Sequence, residues 1–173
     1  MAIEVFIANE QSDREVDVAY LGRLAKATLD AQGVRGEAEL SVLFVDEHAI
    51  AALNERFLGH VGSTDVLSFP IEDEVMMSGR MPDAGGTGPG WEPPNLDNAP
   101  TLLGDVVICP EVAFRNAPDH AGTYEDELAL LLVHGILHLL GMDHEIDHEA
   151  EIMEAREQEL LKLYHRAPKP ETP

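Results

Sequence analysis

The segment His134-Gly135-Ile136-Leu137-His138-Leu139-Leu140-Gly141-Met142-Asp143-His144 sets three imidazoles at the spacing HxxxHxxGxxH. A helix turns 100° per residue, so positions four apart share a face and His134 and His138 project together. Gly141 can take the left-handed backbone conformation that ends a helix, after which the chain turns back and brings His144 beside the pair. Three neutral imidazoles around one divalent ion leave a coordination position open, which is the arrangement of a catalytic rather than a structural zinc. The spacing therefore predicts one zinc ion per chain, held by His134, His138 and His144.

A plainer alternative stands beside this one. A single histidine in an apolar helix is more often a core residue bonded to a carbonyl, and an HxxxH pair alone would not separate the two readings. The third histidine and the glycine decide for the metal. The surrounding residues agree: Glu127, Leu130, Leu131, His134, His138 and Gly141 share one stripe, and Leu128, Leu132, Val133, Ile136, Leu139 and Leu140 cover the rest. A helix apolar on every side is buried. Imidazoles buried there without partners would cost roughly 1–3 kcal/mol each, which a shared ion offsets. Asp143, next to His144, is placed to orient a ligand or to accept a proton. Glu127 lies nearly in line with His134 two turns earlier, as a carboxylate bonded to a ligand imidazole or as an acid of the first helical turn. His48, His60, His120 and His165 carry no ligand spacing, although His120 precedes the helix closely enough to reach a cleft beside it.

Metzincin proteases share this ligand spacing but read HExxHxxGxxH, their glutamate being the general base. Here that position is Gly135, which argues against peptide hydrolysis and for another water-consuming or phosphoryl chemistry. With Ser63-Thr64-Asp65-Val66-Leu67-Ser68-Phe69-Pro70 and Leu103-Gly104-Asp105-Val106-Val107-Ile108-Cys109 upstream, the chain resembles the bacterial ribosomal-RNA maturation factors of the YbeY family from about Ile3 to about Leu163. The resemblance implies a zinc-dependent, single-strand-specific endoribonuclease of small-subunit rRNA 3′-end processing and ribosome quality control. Single-stranded RNA, ribosomal RNA and the small ribosomal subunit are its implied partners. It also implies that the segment from Thr64, with Asp65, Ser68 and Phe69, lines a cleft beside the three histidines. One position departs from the family: where many members carry an arginine tied to RNA cleavage, this chain has Leu58. Arg56, two residues away, would lie about 200° round a helix. A ribosome assembly factor with a structural zinc and little cleavage of its own is the alternative.

Charge sets a second constraint. Asp and Glu number 33 against 11 Lys and Arg, a formal charge of −22 that would repel a polyanion. Binding depends on the local field, and a zinc ion adds positive charge where a phosphate would sit. Arg23, Lys26, Arg56 and Arg115 are the candidates for a basic lining, with Arg115 assigned to the substrate cleft. Cys109 is the single cysteine, so neither an intramolecular disulfide nor a disulfide-linked partner is expected, and its place at a strand end reads as a small buried residue. No basic segment precedes an apolar run at the start, and Leu128 to Met142 is too short and too broken by histidine to span a membrane, so a cytoplasmic protein is expected.

The elements that must position these residues follow from periodicity. Ile3 to Ala8, Glu39 to Val45, Val66 to Phe69 and Leu102 to Cys109 read as strands. Val16 to Gln32 has helical spacing, Asp46 caps a helix through about Phe57, Pro110 opens a short one, Thr123 caps the histidine helix, and Asp147 to Tyr164 closes the chain. The predicted fold is α+β: one domain, a mixed sheet of about four strands, about five helices, and the zinc site on a central buried helix. Residues 1–165 read as a single metal-dependent hydrolase domain. Within it, 72–100, where ten of 29 residues are Gly or Pro, reads as a mobile loop insertion, and 166–173 reads as a disordered tail.

Overall fold

Alternating apolar and polar residues build four strands: β1 (Ile3–Asn9), β2 (Ala38–Phe44), β3 (Val66–Pro70) and β4 (Thr101–Ile108). The computed structural model describes residues 3–34, 36–70, 101–142 and 147–165. The strands lie in the order β1-β2-β4-β3, with β1, β2 and β4 parallel and β3 antiparallel to β4 at the edge. A parallel neighbour requires a crossover, and helix α1 (Val18–Ala31) supplies it between β1 and β2. The mixed sheet of the sequence-based expectation is thus present, with strand ends within one or two residues of those read from periodicity. Two spans of that expectation, 72–100 and 166–173, lie outside the described residues.

The two faces of the sheet carry different cores, because successive side chains of a strand point to opposite sides. Val106 and Ile108 of β4, with Leu40, Val42 and Phe44 of β2, pack into the larger cluster with α1 and the histidine helix. Val107 turns the other way and packs with Val45, Ile50, Leu67, Cys109 and Val112. Ile50 belongs to α2 (Glu47–Leu53), whose cap is Asp46, the side chain accepting the Ala49 N–H at 2.8 Å. The chain then winds into a wider π-helical turn, Asn54–Leu58, so the helix expected to about Phe57 changes its hydrogen-bond pattern halfway. Val112 lies on α3 (Pro110–Asn116), which begins at its proline as predicted.

Helix α4 (Tyr124–Leu139) packs against β3, β4 and α1. Thr123 Oγ1 accepts the Asp126 N–H at 3.0 Å, and Glu125, Asp126 and Glu127 place negative charge at its positive end. Leu132, Val133, Ile136 and Leu137 are completely buried, each such aliphatic side chain contributing roughly 1.5–3 kcal/mol. That sum outweighs any helix-propensity term, so packing rather than local preference makes this segment helical. Helix α5 (Asp147–Leu160) packs on α4 and continues into the π-helical turn Leu161–His165. His165, for which the sequence suggests no role, fastens that turn: its Nε2 meets Asp126 at 2.7 Å and its Nδ1 meets the Tyr20 hydroxyl. None of the described helices is long and apolar enough to cross a membrane.

Candidate metal centre

His134 and His138 leave the last two turns of α4 on one side, with ring centroids 5.1 Å apart and planes at 78°. Both are partly exposed, while Leu131, Leu132, Val133, Gly135, Ile136 and Leu137 around them are buried. His134 is held from α5: its Nδ1 lies 2.5 Å from Glu157 Oε2, and Glu157 is itself buried. A carboxylate only accepts, so the proton sits on Nδ1 and Nε2 is the nitrogen able to ligate. A carboxylate fixing the tautomer and orientation of an imidazole is the usual support of a metal-binding histidine, and the donors present fit a zinc ion in chemical type. Among the described residues no group of three potential metal donors is assembled. The expected third ligand, His144, and its neighbour Asp143 lie outside the described residues.

The helix ends where its glycine predicts. Gly141 adopts φ +102°, the Met142 N–H donates to the Leu137 carbonyl at 3.0 Å and the Gly141 N–H to the His138 carbonyl at 3.0 Å. This bond pair is the Schellman closure, which redirects the chain immediately after the second histidine. Gly135 has a different reason to be glycine. A Cβ there would stand 2.7 Å from Val106 Cγ1 and 3.3 Å from Ser68 Oγ, so α4 sits directly against β3 and β4 at this point. Position 135 faces the sheet, and a glutamate in this place would be driven into the core.

A cleft of about 280 Å³ opens beside His134, lined by Asp65 and Val66, by His120, Leu130 and Leu131, and by Ala150, Met153, Glu154 and Glu157 of α5. Asp65 is thus brought beside His134, as the sequence suggests for the segment from Thr64. Ser68 and Phe69 are used otherwise: the Ser68 hydroxyl donates to the Gly135 carbonyl at 3.1 Å, and the Phe69 ring meets Phe57 edge-on at 5.5 Å. Thr64 is half-buried and is not among the residues lining this cleft. Nor is Arg115, whose guanidinium is taken by both Glu47 carboxylate oxygens at 3.0 and 2.7 Å. Bonds from Arg115 and from the Ser63 hydroxyl hold the Glu47 carboxyl at about 2, well under its usual 4.5. Of the other cations considered, Arg56 lies over the Phe57 ring at 5.2 Å, and Arg23 and Lys26 are exposed on α1. Leu58 is half exposed in the π-helical turn. Cys109 is completely buried, and burial pushes its thiol up.

The model of the family Endoribonuclease YbeY matches residues 6–165. The chain belongs to the YbeY endoribonuclease family. Endoribonuclease YbeY of Thermobifida fusca is 43% identical over 165 residues, covering 95% of this chain and 96% of that protein. Endoribonuclease YbeY of Salinispora tropica is 44% identical over 161 residues, 93% of this chain and 94% of that protein. A solution structure of a Thermotoga maritima protein aligns with a TM-score of 0.54 at 24% identity, over 97% of this chain and 96% of that chain, and so shares the fold.

In this YbeY-family chain the sequence reading missed Glu157. The signal was present: Met153, Glu157, Leu160 and Leu161 follow the i, i+4, i+7, i+8 pattern of a buried stripe on an otherwise polar helix, and a carboxylate inside such a stripe needs a partner. Glu127 is an acid of the first turn of α4, one of its two readings, and it does not reach His134. It is completely buried, but its carboxylate meets His120 Nδ1 at 2.9 Å and the Ala121 N–H at 3.1 Å.

Proposed function

We propose that the chain is a zinc-dependent, single-strand-specific endoribonuclease of ribosomal RNA, working in the cytoplasm on small-subunit rRNA 3′-end maturation and ribosome quality control. The observation that carries this reading is the His134–His138 pair, braced by Glu157 at the edge of a cleft, in a chain of the YbeY endoribonuclease family. His134, His138 and His144 would hold the ion, which when bound supplies Lewis acidity toward a phosphoryl oxygen. The chain's own residues do the positioning. Glu157 fixes the His134 ring, the Gly141 turn redirects the backbone after His138, and Gly135 seats α4 against β3 and β4. Asp65 in the cleft is suited to accept a hydrogen bond from a water or a ribose hydroxyl, not to grip a phosphate. Because position 135 faces the sheet, peptide hydrolysis by a base next to the first histidine is disfavoured.

The acidic balance and a described cleft lining without Lys or Arg favour a second reading, a ribosome assembly factor whose zinc is structural. One assay separates the readings. Purified protein is incubated with single-stranded RNA, duplex RNA and casein, with and without chelator, beside His138→Ala. The expected result is cleavage of the single strand alone, abolished by chelator and by the substitution. Zinc-loaded protein that binds the small subunit and never cuts would establish the assembly factor, and cleavage that survives both treatments would expose a contaminant.

A further inference from the structure

His120 follows the 3-10 turn Ala117–Asp119, and its side chain, 56% exposed, lines the cleft that also holds His134 and Asp65. Its Nδ1 lies 2.9 Å from each carboxylate oxygen of Glu127, a residue with no exposed surface. Burying a carboxylate is costly, and the one backbone bond it accepts, from Ala121 N–H at 3.1 Å, could be accepted equally by a neutral glutamine. What a carboxylate does for the adjacent imidazole is hold the proton on Nδ1 and fix the plane of the ring. Nε2 is then the ring nitrogen left to exchange a proton, and the side chain that carries it lines the cleft.

We propose that His120, positioned by Glu127, is the proton donor to the departing ribose oxygen when RNA is cut in this cleft; the inference rests on the endoribonuclease reading above. As water's oxygen forms its bond to phosphorus, the bond between phosphorus and the departing oxygen breaks. The electron pair stays on that oxygen, which takes the Nε2 proton of the His120 imidazolium and leaves as a hydroxyl. Water's surplus proton passes to solvent, and the neutral imidazole recovers one from solvent. The groups facing His120 are Glu127 and His134 of α4, Asp65 ahead of β3, and Glu154 and Glu157 of α5.

The test is steady-state cleavage of a single-stranded RNA by the full chain, its His120→Gln variant and its Glu127→Gln variant, across pH. His120→Gln should lower kcat about 100-fold or more, leave KM within about threefold, and remove the alkaline limb of the rate profile, where a general acid loses its proton. Glu127→Gln should shift the His120 ring-nitrogen resonances toward the other tautomer and lower kcat at least about tenfold with KM little changed, whereas loss of a purely structural carboxylate would leave the kcat of the folded protein unchanged. Should His120→Gln not fold, the Glu127→Gln kinetics and resonances decide. Active parent protein whose His120→Gln variant keeps its kcat and its alkaline limb would overturn the inference alone. A parent protein that cuts no RNA overturns the endoribonuclease reading, and the proton donor falls with it.

Discussion

Glu157 reaches His134 across 23 positions of sequence, at 2.5 Å. Its contribution is orientation: the ion it supports indirectly would feel the loss of a fixed ring before the loss of charge. Glu157→Gln is therefore expected to weaken zinc binding about 10- to 100-fold, the range found when such supporting groups are removed. Competition with a chromogenic chelator measures this, and unchanged affinity would show that the bond is only a helix-packing contact. At Gly135 the effect is steric. Gly135→Ala puts a methyl 2.7 Å from Val106 Cγ1 and should cost about 1–3 kcal/mol in urea denaturation, without creating any peptidase activity. Pairing it with Val106→Ala should recover part of that loss; strict additivity of the two would mean that the close approach is not the cause.

At the scale of elements, what matters is how α4 begins and ends. Its start is legible because Thr123 and the three acids after it are a local signal, complete within one turn. Its end is legible because Gly141 needs φ +102°, which side chains with a Cβ avoid. Gly141→Ala should therefore destabilise the protein by about 1–2 kcal/mol, from the left-handed penalty. Zinc affinity should fall with it if the turn delivers His144, and calorimetric zinc titration of the variant checks that link. The π-helical turn after α2 was not legible. The sequence of Asn54–Leu58 continues an acceptable helix, and what accompanies the wider turn, the bond from buried Asn54 Nδ2 to the Gly62 carbonyl at 3.0 Å and the Phe57 ring against Phe69, appears only in the folded chain.

For the whole molecule, the dominant fact is a formal charge of −22. Three of the described arginines are drawn into ion pairs: Arg14 with Glu111, Arg115 with Glu47, and Arg156 with Glu159. The Arg115 pair gives a pH signature. The folded-state value of Glu47 is depressed to about 2 from 4.5, so its contribution is present above about pH 4.5 and is lost as pH falls toward 2. The difference in melting temperature between the protein and Glu47→Gln should accordingly be greatest above pH 5 and vanish near pH 2. It should also be small and shrink with salt, since the pair is exposed. A difference that persists unchanged at pH 2 would contradict this assignment.

Local physics determined the four strands, the helix caps, the glycine stop and the helical face shared by His134 and His138, because period, cap chemistry and φ preference act within a few residues of chain. Family resemblance could be read from the same stretch, and the family model matches accordingly. Partner choice was another matter. That Glu157 holds His134 and that Arg115 belongs to Glu47 rather than to the cleft are decided by which distant segments meet, and that Glu127 turns to His120 rather than to His134 by how the chain folds back just ahead of α4. A carboxylate's charge is written in the sequence, but the imidazole or guanidinium beside it is fixed only when folding sets turns side by side, and for buried Glu127 and Glu157 desolvation then demands such a partner.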